Sequence, residues 1–421
     1  MPAGLGVDSV GAAWRLLLTR RFGTFWFASL LSNIGTWAQQ VAQPWLLLSL
    51  GASSFVIGLD AFALSAPVWI LTVVGGALAD RADRRKVIAR FQSAQMLCPV
   101  ILVVLLMMGT VRPWMIIVLS LVVGVTDALS MPSFQSIVPS IVEHRQIATG
   151  LALNSTQFNL SRILGPAIAG VLLVGVGAVG CFVVSALSYI PFIVVAVWIL
   201  PRGLVALAAD DGQRPRQILD HVLTIGRVPY LRGALLTVFL TSLLCAQIVT
   251  FAPILVRDAY HGDASHFSIA VGAFGVGGLL GGIGLLFVDS GRDRRSLCSW
   301  FAGGYGVILV LAALNRWFVL LPALLVAAGV AMSVSNISSN TLVQANTTAQ
   351  LRGQTVSLYM LAMRGGLSLG SLLTGLTVSL LGVNHALLLN GAVAVLAQWL
   401  VARDWNRAAA PVWEVAGAGA D

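Results

Sequence analysis

Stretches of about twenty predominantly apolar residues recur along the chain, six before residue 202 and six after residue 230, and that is the helix length a bilayer's hydrocarbon core demands. By hydropathy the spans are 23–50, 54–79, 88–109, 113–138, 147–174, 178–200, 231–256, 267–288, 297–314, 317–338, 353–381 and 384–402. Lipid offers no partner to a backbone N–H or C=O, so segments of this length must satisfy themselves as helices. Only 10% of the 421 residues are charged, where soluble domains carry about 25%, and that is too little charge to solvate a globular surface. The expected fold is all-α and membrane-embedded. It has an N-terminal six-helix bundle (1–200), a polar linker (201–230), a C-terminal six-helix bundle (231–402) and a tail (403–421). Ser9 to Arg21 reads as a short amphipathic helix, with Val10, Trp14, Leu17 and Leu18 set against Arg15, Arg20 and Arg21.

Lys and Arg are spread unevenly over the loops. One side holds 20, the other only Arg112, Arg257 and Arg316, while Arg162 and Arg364 fall inside spans. Positive residues collect on the cytoplasmic side of a membrane, so both termini and the linker are expected there. The net charge of +9 therefore reports topology. No single helix or patch gathers the basic residues as a nucleic-acid surface would. Nothing in Met1 to Leu18 reads as a cleavable signal, and Cys98, Cys181, Cys245 and Cys298 read as small buried hydrophobes.

The two halves echo each other at an offset of 205 positions. Ser133-Phe134-Gln135-Ser136-Ile137-Val138 aligns with Ser338-Ser339-Asn340-Thr341-Leu342-Val343. Gly165 and Gly170 align with Gly370 and Gly375, and Gly76 with Gly281. Matches on three separate helices at one offset point to a duplicated architecture with a cavity between the halves.

After the second span comes Gly76-x-Leu78-Ala79-Asp80-Arg81-x-Asp83-Arg84-Arg85-Lys86. With twelve spans and a basic central linker, this resembles the major facilitator superfamily and its loop 2-3 signature. Asp83 in place of the usual glycine, Pro132-x-Phe134, Ala152-Leu153-Asn154 and Leu351-Arg352-Gly353 resemble the enterobactin-exporter-like branch, the secretion effectors and drug:proton antiporters. Arg162-x-x-Gly165-Pro166-Ala167-x-Ala169-Gly170 resembles the antiporter signature, with Ser161 and Ala169 replacing two of its glycines. The resemblance implies alternating access in a bacterial inner membrane. It also implies a conformational gate formed by Gly76, Asp80, Arg81, Arg84 and Arg85, in which Asp80 meets the start of the eleventh span near Gly353 and Gln354. Proton coupling and export of drugs or siderophores are implied too.

Other residues carry readings of their own. Asn33, Thr36, Gln39, Gln40 and Gln43 form a polar stripe at i, i+3, i+4 spacing beside Trp37 and Trp45, a face suited to an amphipathic ligand in a cavity. Gln247 is its counterpart in the seventh span. Arg162 and Arg364 sit near mid-bilayer, where a charge costs at least ~2.5 kcal/mol, so they face either an anionic or hydrogen-bonding substrate or a partner such as Asp127. Asn159 falls opposite Arg364 at the duplicated offset. Asp60 and Asp127 are the acidic residues within spans and the candidates for carrying a proton; a wetted position for Asp60 and ion pairing for Asp127 are the competing readings. Gly165 and Pro166 form a candidate hinge.

No nucleophile and base pair, metal-ligand cluster or nucleotide loop is present in the sequence; the glycines between 272 and 284 lack phosphate-loop spacing. An enzyme, a metal or a cofactor is therefore not expected. The expected partners are a small-molecule substrate, protons and lipid, with the protein acting as a monomer. The leading function is proton-coupled export of small amphipathic molecules. Lipid or lysophospholipid movement, and a membrane scaffold or sensor without transport, are the alternatives.

Overall fold

The computed structural model describes residues 7–69, 71, 74, 82–200, 229–288, 294–345 and 352–407, and these form helices joined by short turns, with no strand among them. Gly76, Asp80 and Arg81 of the loop 2-3 signature, and most of the linker, lie outside the described residues. The chain divides into two compact units. One comprises Met1–Asp210 with Gly262–Gly275, the other Asp211–His261 with Val276–Asp421.

In the first unit, α1 (Val7–Leu17) leads into α2 (Arg20–Ser49), α3 (Ser54–Ser65), α4 (Arg84–Met107), α5 (Pro113–Ile141) and α6 (Ile147–Trp198). Local chemistry sets the starts. The Ser53 hydroxyl accepts from the Val56 amide ahead of α3, Asp83 accepts from the Arg85 amide ahead of α4, and Pro113 opens α5 where its missing N–H costs nothing. At 52 residues α6 is twice the length of a crossing, and it breaks at Gly177, whose φ of 68° and ψ of −174° a side chain would resist. This falls in the gap between the fifth and sixth expected spans.

α2 packs chiefly on α6, and α4 on both α5 and α6. At the end of the unit where α2 begins, Phe25, Phe134 and Phe192 close into a cluster with ring centroids 5.3 to 5.7 Å apart, backed by Phe22, Ile88 and Ile137. Leu16 of α1 plugs into this core, while Trp14 and Leu18 of its expected apolar face are exposed.

The second unit holds α7 (Pro229–Leu240), a π-helical turn (Thr241–Cys245), α8 (Gln247–Tyr260), α10 (Arg294–Leu314), α11 (Leu320–Ala345), α12 (Arg352–Leu381) and α13 (Val383–Arg407). The helix α9 (Ala264–Gly284) begins in the first unit's residues and ends in the second's. α10 packs on α11 and α13, and α12 on α7 and the π-turn. Gly277 and Gly281, one turn apart on α9, leave room for the carbonyls of Val326 and Val330 of α11, the small-residue contact expected of a membrane helix pair.

Nine described helical segments are long and apolar enough to cross a membrane. One of these is the double-length Thr149–Trp198 segment. α2 falls outside the nine because its polar stripe lowers its hydropathy, and the Ser54–Trp69 segment because it is short within the described residues. The outer surface suits lipid, with Val171, Leu187 and Leu373 each more than half exposed.

Candidate functional site

A closed polar triad lies inside the first unit where α2, α3 and α5 meet. Gln43 of α2 donates through Nε2 to Asp60 Oδ2 of α3 at 2.7 Å and to Ser120 Oγ of α5 at 2.7 Å. Ser120 in turn donates to Asp60 Oδ1 at 2.6 Å. Asp60 is 4% exposed. The three residues reach one level because each stands at a similar depth in its helix. Gln43 lies six residues before the end of α2, Asp60 six residues into α3 and Ser120 seven into α5, each about 10 Å from its helix end at ~1.5 Å per residue.

The polar stripe of α2 continues away from the triad. Gln39 Nε2 donates to Gln43 Oε1 at 3.4 Å, and Ser185 of α6 donates to Gln39 Oε1 at 2.8 Å. One turn further, the Thr36 hydroxyl is 2.8 Å from Tyr189 of α6 and donates to the Ser32 carbonyl. Hydrogen bonds therefore join Asp60, Gln43, Gln39 and Ser185 across α3, α2 and α6, with Ser120 bringing in α5. Of these sequence reasoning singled out the α2 residues and Asp60. Ser120 and Ser185 sit in apolar runs with no local signal.

A second cluster forms where α2 faces the first half of α6. The Arg162 guanidinium lies over the Trp37 ring at 5.6 Å from its centroid, and Phe158 meets the same indole edge-on at 6.3 Å. The approach depends on Gly165, where a Cβ would stand 2.3 Å from Trp37 Cβ. Asn159 and Asn33 each donate to their own helix, to the Ser155 carbonyl and the Ser29 hydroxyl, which leaves their amide oxygens for another donor. Gln40 is half-buried on the same helix. Asp127 and Arg84 are half-buried, and Arg84 donates to Ser140 of α5 at 3.4 Å.

The second unit repeats one feature. Gly370, the equivalent of Gly165, lies where a Cβ would stand 2.1 Å from the Leu243 carbonyl oxygen in the π-turn. At the start of α8, just past that turn, Gln247 Nε2 donates to the Ser242 carbonyl at 2.9 Å while reaching the Leu367 carbonyl of α12 at 3.3 Å. Gln247 is thus a tie between the π-turn and α12, and π-turns are enriched at functional sites in helices. Arg364, less than one turn before Leu367 on α12, is 8% exposed. Among the described residues no group of His, Cys, Asp or Glu is placed to hold a metal ion.

Described residues that are helical throughout, with lipid-ready exteriors, a carboxylate buried in the first unit and an arginine buried in the second, fit a multi-pass membrane transporter. Three comparisons agree. The protein belongs to the transmembrane secretion effector family of the major facilitator superfamily, which it matches over residues 11–415. It is 26% identical over 368 residues to the staphyloferrin A transporter of Staphylococcus aureus, covering 85% of this chain and 90% of that protein. It is 21% identical over 392 residues to macrolide efflux protein A of Streptococcus pyogenes, covering 91% and 94%. Among solved structures, a point mutant of the nucleoside transporter NupG superposes with a TM-score of 0.73 at 13% identity, over 91% of this chain and all of that one, a likeness of fold.

Proposed function

We propose that this protein is a proton-coupled exporter of small amphipathic molecules, siderophores or drugs, working by alternating access in a bacterial inner membrane with both termini in the cytoplasm. The names of its relatives support export of this class of cargo. The observation that carries proton coupling is the Asp60 triad, because a carboxylate buried among neutral donors inside a membrane protein exchanges a proton at far lower cost than it would exchange a cation. Asp60 is the proposed proton carrier, and Asp127 the second candidate.

Substrate meets Asn33, Thr36, Gln40, Asn159 and Arg162 in the first unit, and Gln247 and Arg364 in the second. The Trp37 and Phe158 rings offer apolar area beside the Arg162 charge, which fits a ligand that is both aromatic or aliphatic and anionic. The loop 2-3 gate of Gly76, Asp80, Arg81, Arg84 and Arg85, the hinge at Gly165 and Pro166, and action as a monomer complete the reading. Proteoliposomes carrying the purified protein, given staphyloferrin A or a macrolide and an imposed pH difference, test it: gradient-dependent movement of either compound is the expected result, and indifference of both to the gradient overturns it.

A further inference from the structure

We infer that Gln43 is the residue that reads the protonation state of Asp60, and that it does so by turning its side-chain amide over, thereby releasing Gln39 and α6. The inference rests on the proton-coupled reading and deepens it by naming the transducer.

The protons of the triad can be counted. A carboxylate only accepts, and here both of its oxygens are met by donors, Oδ2 by Gln43 Nε2 at 2.7 Å and Oδ1 by Ser120 at 2.6 Å. The second amide proton of Gln43 is also used, on Ser120 Oγ at 2.7 Å. Every proton in the triad is committed, and the arrangement is complete for the ionised acid alone. Adding one proton to Asp60 Oδ2 costs that oxygen a lone pair and brings a new O–H donor beside the NH2 of Gln43, where the triad as it stands has no acceptor aimed at it. A buried polar group left unsatisfied in this way carries the full cost of its desolvation, so the triad must rearrange.

The chain carries its own remedy. Rotating the Gln43 amide by half a turn presents Oε1 to the new O–H and, once Ser120 turns its own proton from Asp60 Oδ1 to Oε1, keeps the Gln43–Ser120 contact bonded in the reverse sense, with no backbone motion. Oε1, however, is the acceptor for Gln39 Nε2 at 3.4 Å, and Gln39 is in turn held by Ser185 of α6 at 2.8 Å. The rotation puts an NH2 where Gln39 Nε2 had an acceptor, so the Gln39 amide turns over in response, which takes its Oε1 away from Ser185 and breaks that bond to α6. Protonation of Asp60 thereby weakens the tie between α2 and the second half of α6. Loss of the proton reverses each step, and no other atom is transferred.

Among the described residues, the charged groups on the neighbouring helices are distant from Asp60 or engaged elsewhere. The helices packed on α3 are α2 and α5. On α2 the charged residues are Arg20 and Arg21 at its far end, and on α5 it is Asp127, two turns along from Ser120. Arg162 of α6 is engaged with Trp37, and His266 of α9 with Asp263. Among the described residues, the hydrogen-bond partners of Asp60 are Gln43 and Ser120.

The test needs no substrate. The full-length protein is purified with glutamine labelled at its side-chain carbonyl, reconstituted in liposomes, and followed by infrared difference spectroscopy as pH is lowered. The expected result is a carboxylic-acid carbonyl band that appears together with a shift of a labelled glutamine band, both with one midpoint. Asp60→Asn should remove both signals, and Gln43→Met should keep the carboxylic-acid band while losing the glutamine shift. A titrating Asp60 band with every glutamine band stationary overturns the inference even if the Met variant fails to fold, as does the absence of any band that Asp60→Asn removes. Coupled titration without transport of any compound would leave this switch standing and sink the export reading; gradient-driven transport with stationary glutamine bands would do the reverse.

Discussion

Gly165 touches Trp37 at a distance no side chain could occupy: an added Cβ would stand 2.3 Å from Trp37 Cβ and 3.2 Å from its carbonyl carbon. The contact lets α6 run close against α2 and sets Arg162, nearly a turn earlier, over the indole. Gly165→Ala should therefore push the helices apart, lower stability by about 1–3 kcal/mol as overpacking does, and disturb the Arg162 site. The melting temperature of the purified protein in detergent checks this. A melting temperature unchanged from wild type would show that the contact is dispensable.

The equivalent contact at Gly370 presses on the π-turn, and Gln247 just past it donates to one carbonyl in the turn and one on α12. Gln247→Leu removes both bonds and leaves the Ser242 and Leu367 oxygens without that donor. A loss of about 1–3 kcal/mol is expected, together with faster amide exchange in the Thr241–Cys245 turn, measured by hydrogen–deuterium exchange.

At the loop end of α9, Asp263 is fully exposed and its carboxyl is held below its ordinary 3.8, first by the side-chain hydrogen bond from His266 and then by the amides of His266 and Ser265. A folded-state value below the unfolded one adds stability above the unfolded pKa, and that stability is lost as pH falls through the folded value. Wild type should therefore lose a small increment of stability below the ordinary carboxylate range that Asp263→Asn does not lose. Parallel melting curves of the two proteins across that acid range measure the difference. Solvent and salt screen so exposed a pair, so the increment should shrink further at high ionic strength.

Arg162→Met should weaken binding of an anionic siderophore such as staphyloferrin A at least about tenfold, the loss of one charge-assisted contact, while a neutral ligand is affected less. Equilibrium binding by calorimetry distinguishes the two.

Much of this was legible in the residues, and what was not has physical reasons. The α2 stripe showed itself because amides at i, i+3, i+4 spacing are rare in an apolar run, yet the same stripe lowers the hydropathy of α2 below that of an ordinary crossing. Asp60 was visible as an acid within a span, but its partners were not: Ser120 and Ser185 are single hydroxyls in apolar helices, where serine commonly bonds its own backbone. The π-turn leaves no mark in hydropathy, since one surplus residue per turn changes hydrogen-bond register and not composition. Gly165 beside Pro166 reads as a hinge, and periodicity does not tell what else faces a glycine. The structure gives it a contact with Trp37 and places the non-helical backbone of α6 at Gly177.

Counting the protons that move against the cargo decides whether Asp60 couples transport to the gradient. Wild-type protein in proteoliposomes loaded with a pH-sensitive dye should show proton movement opposite to that of staphyloferrin A or a macrolide. Asp60→Asn, verified to melt as wild type does, should reduce it to background. Undiminished proton movement in that variant would contradict the assignment of Asp60 as the proton carrier.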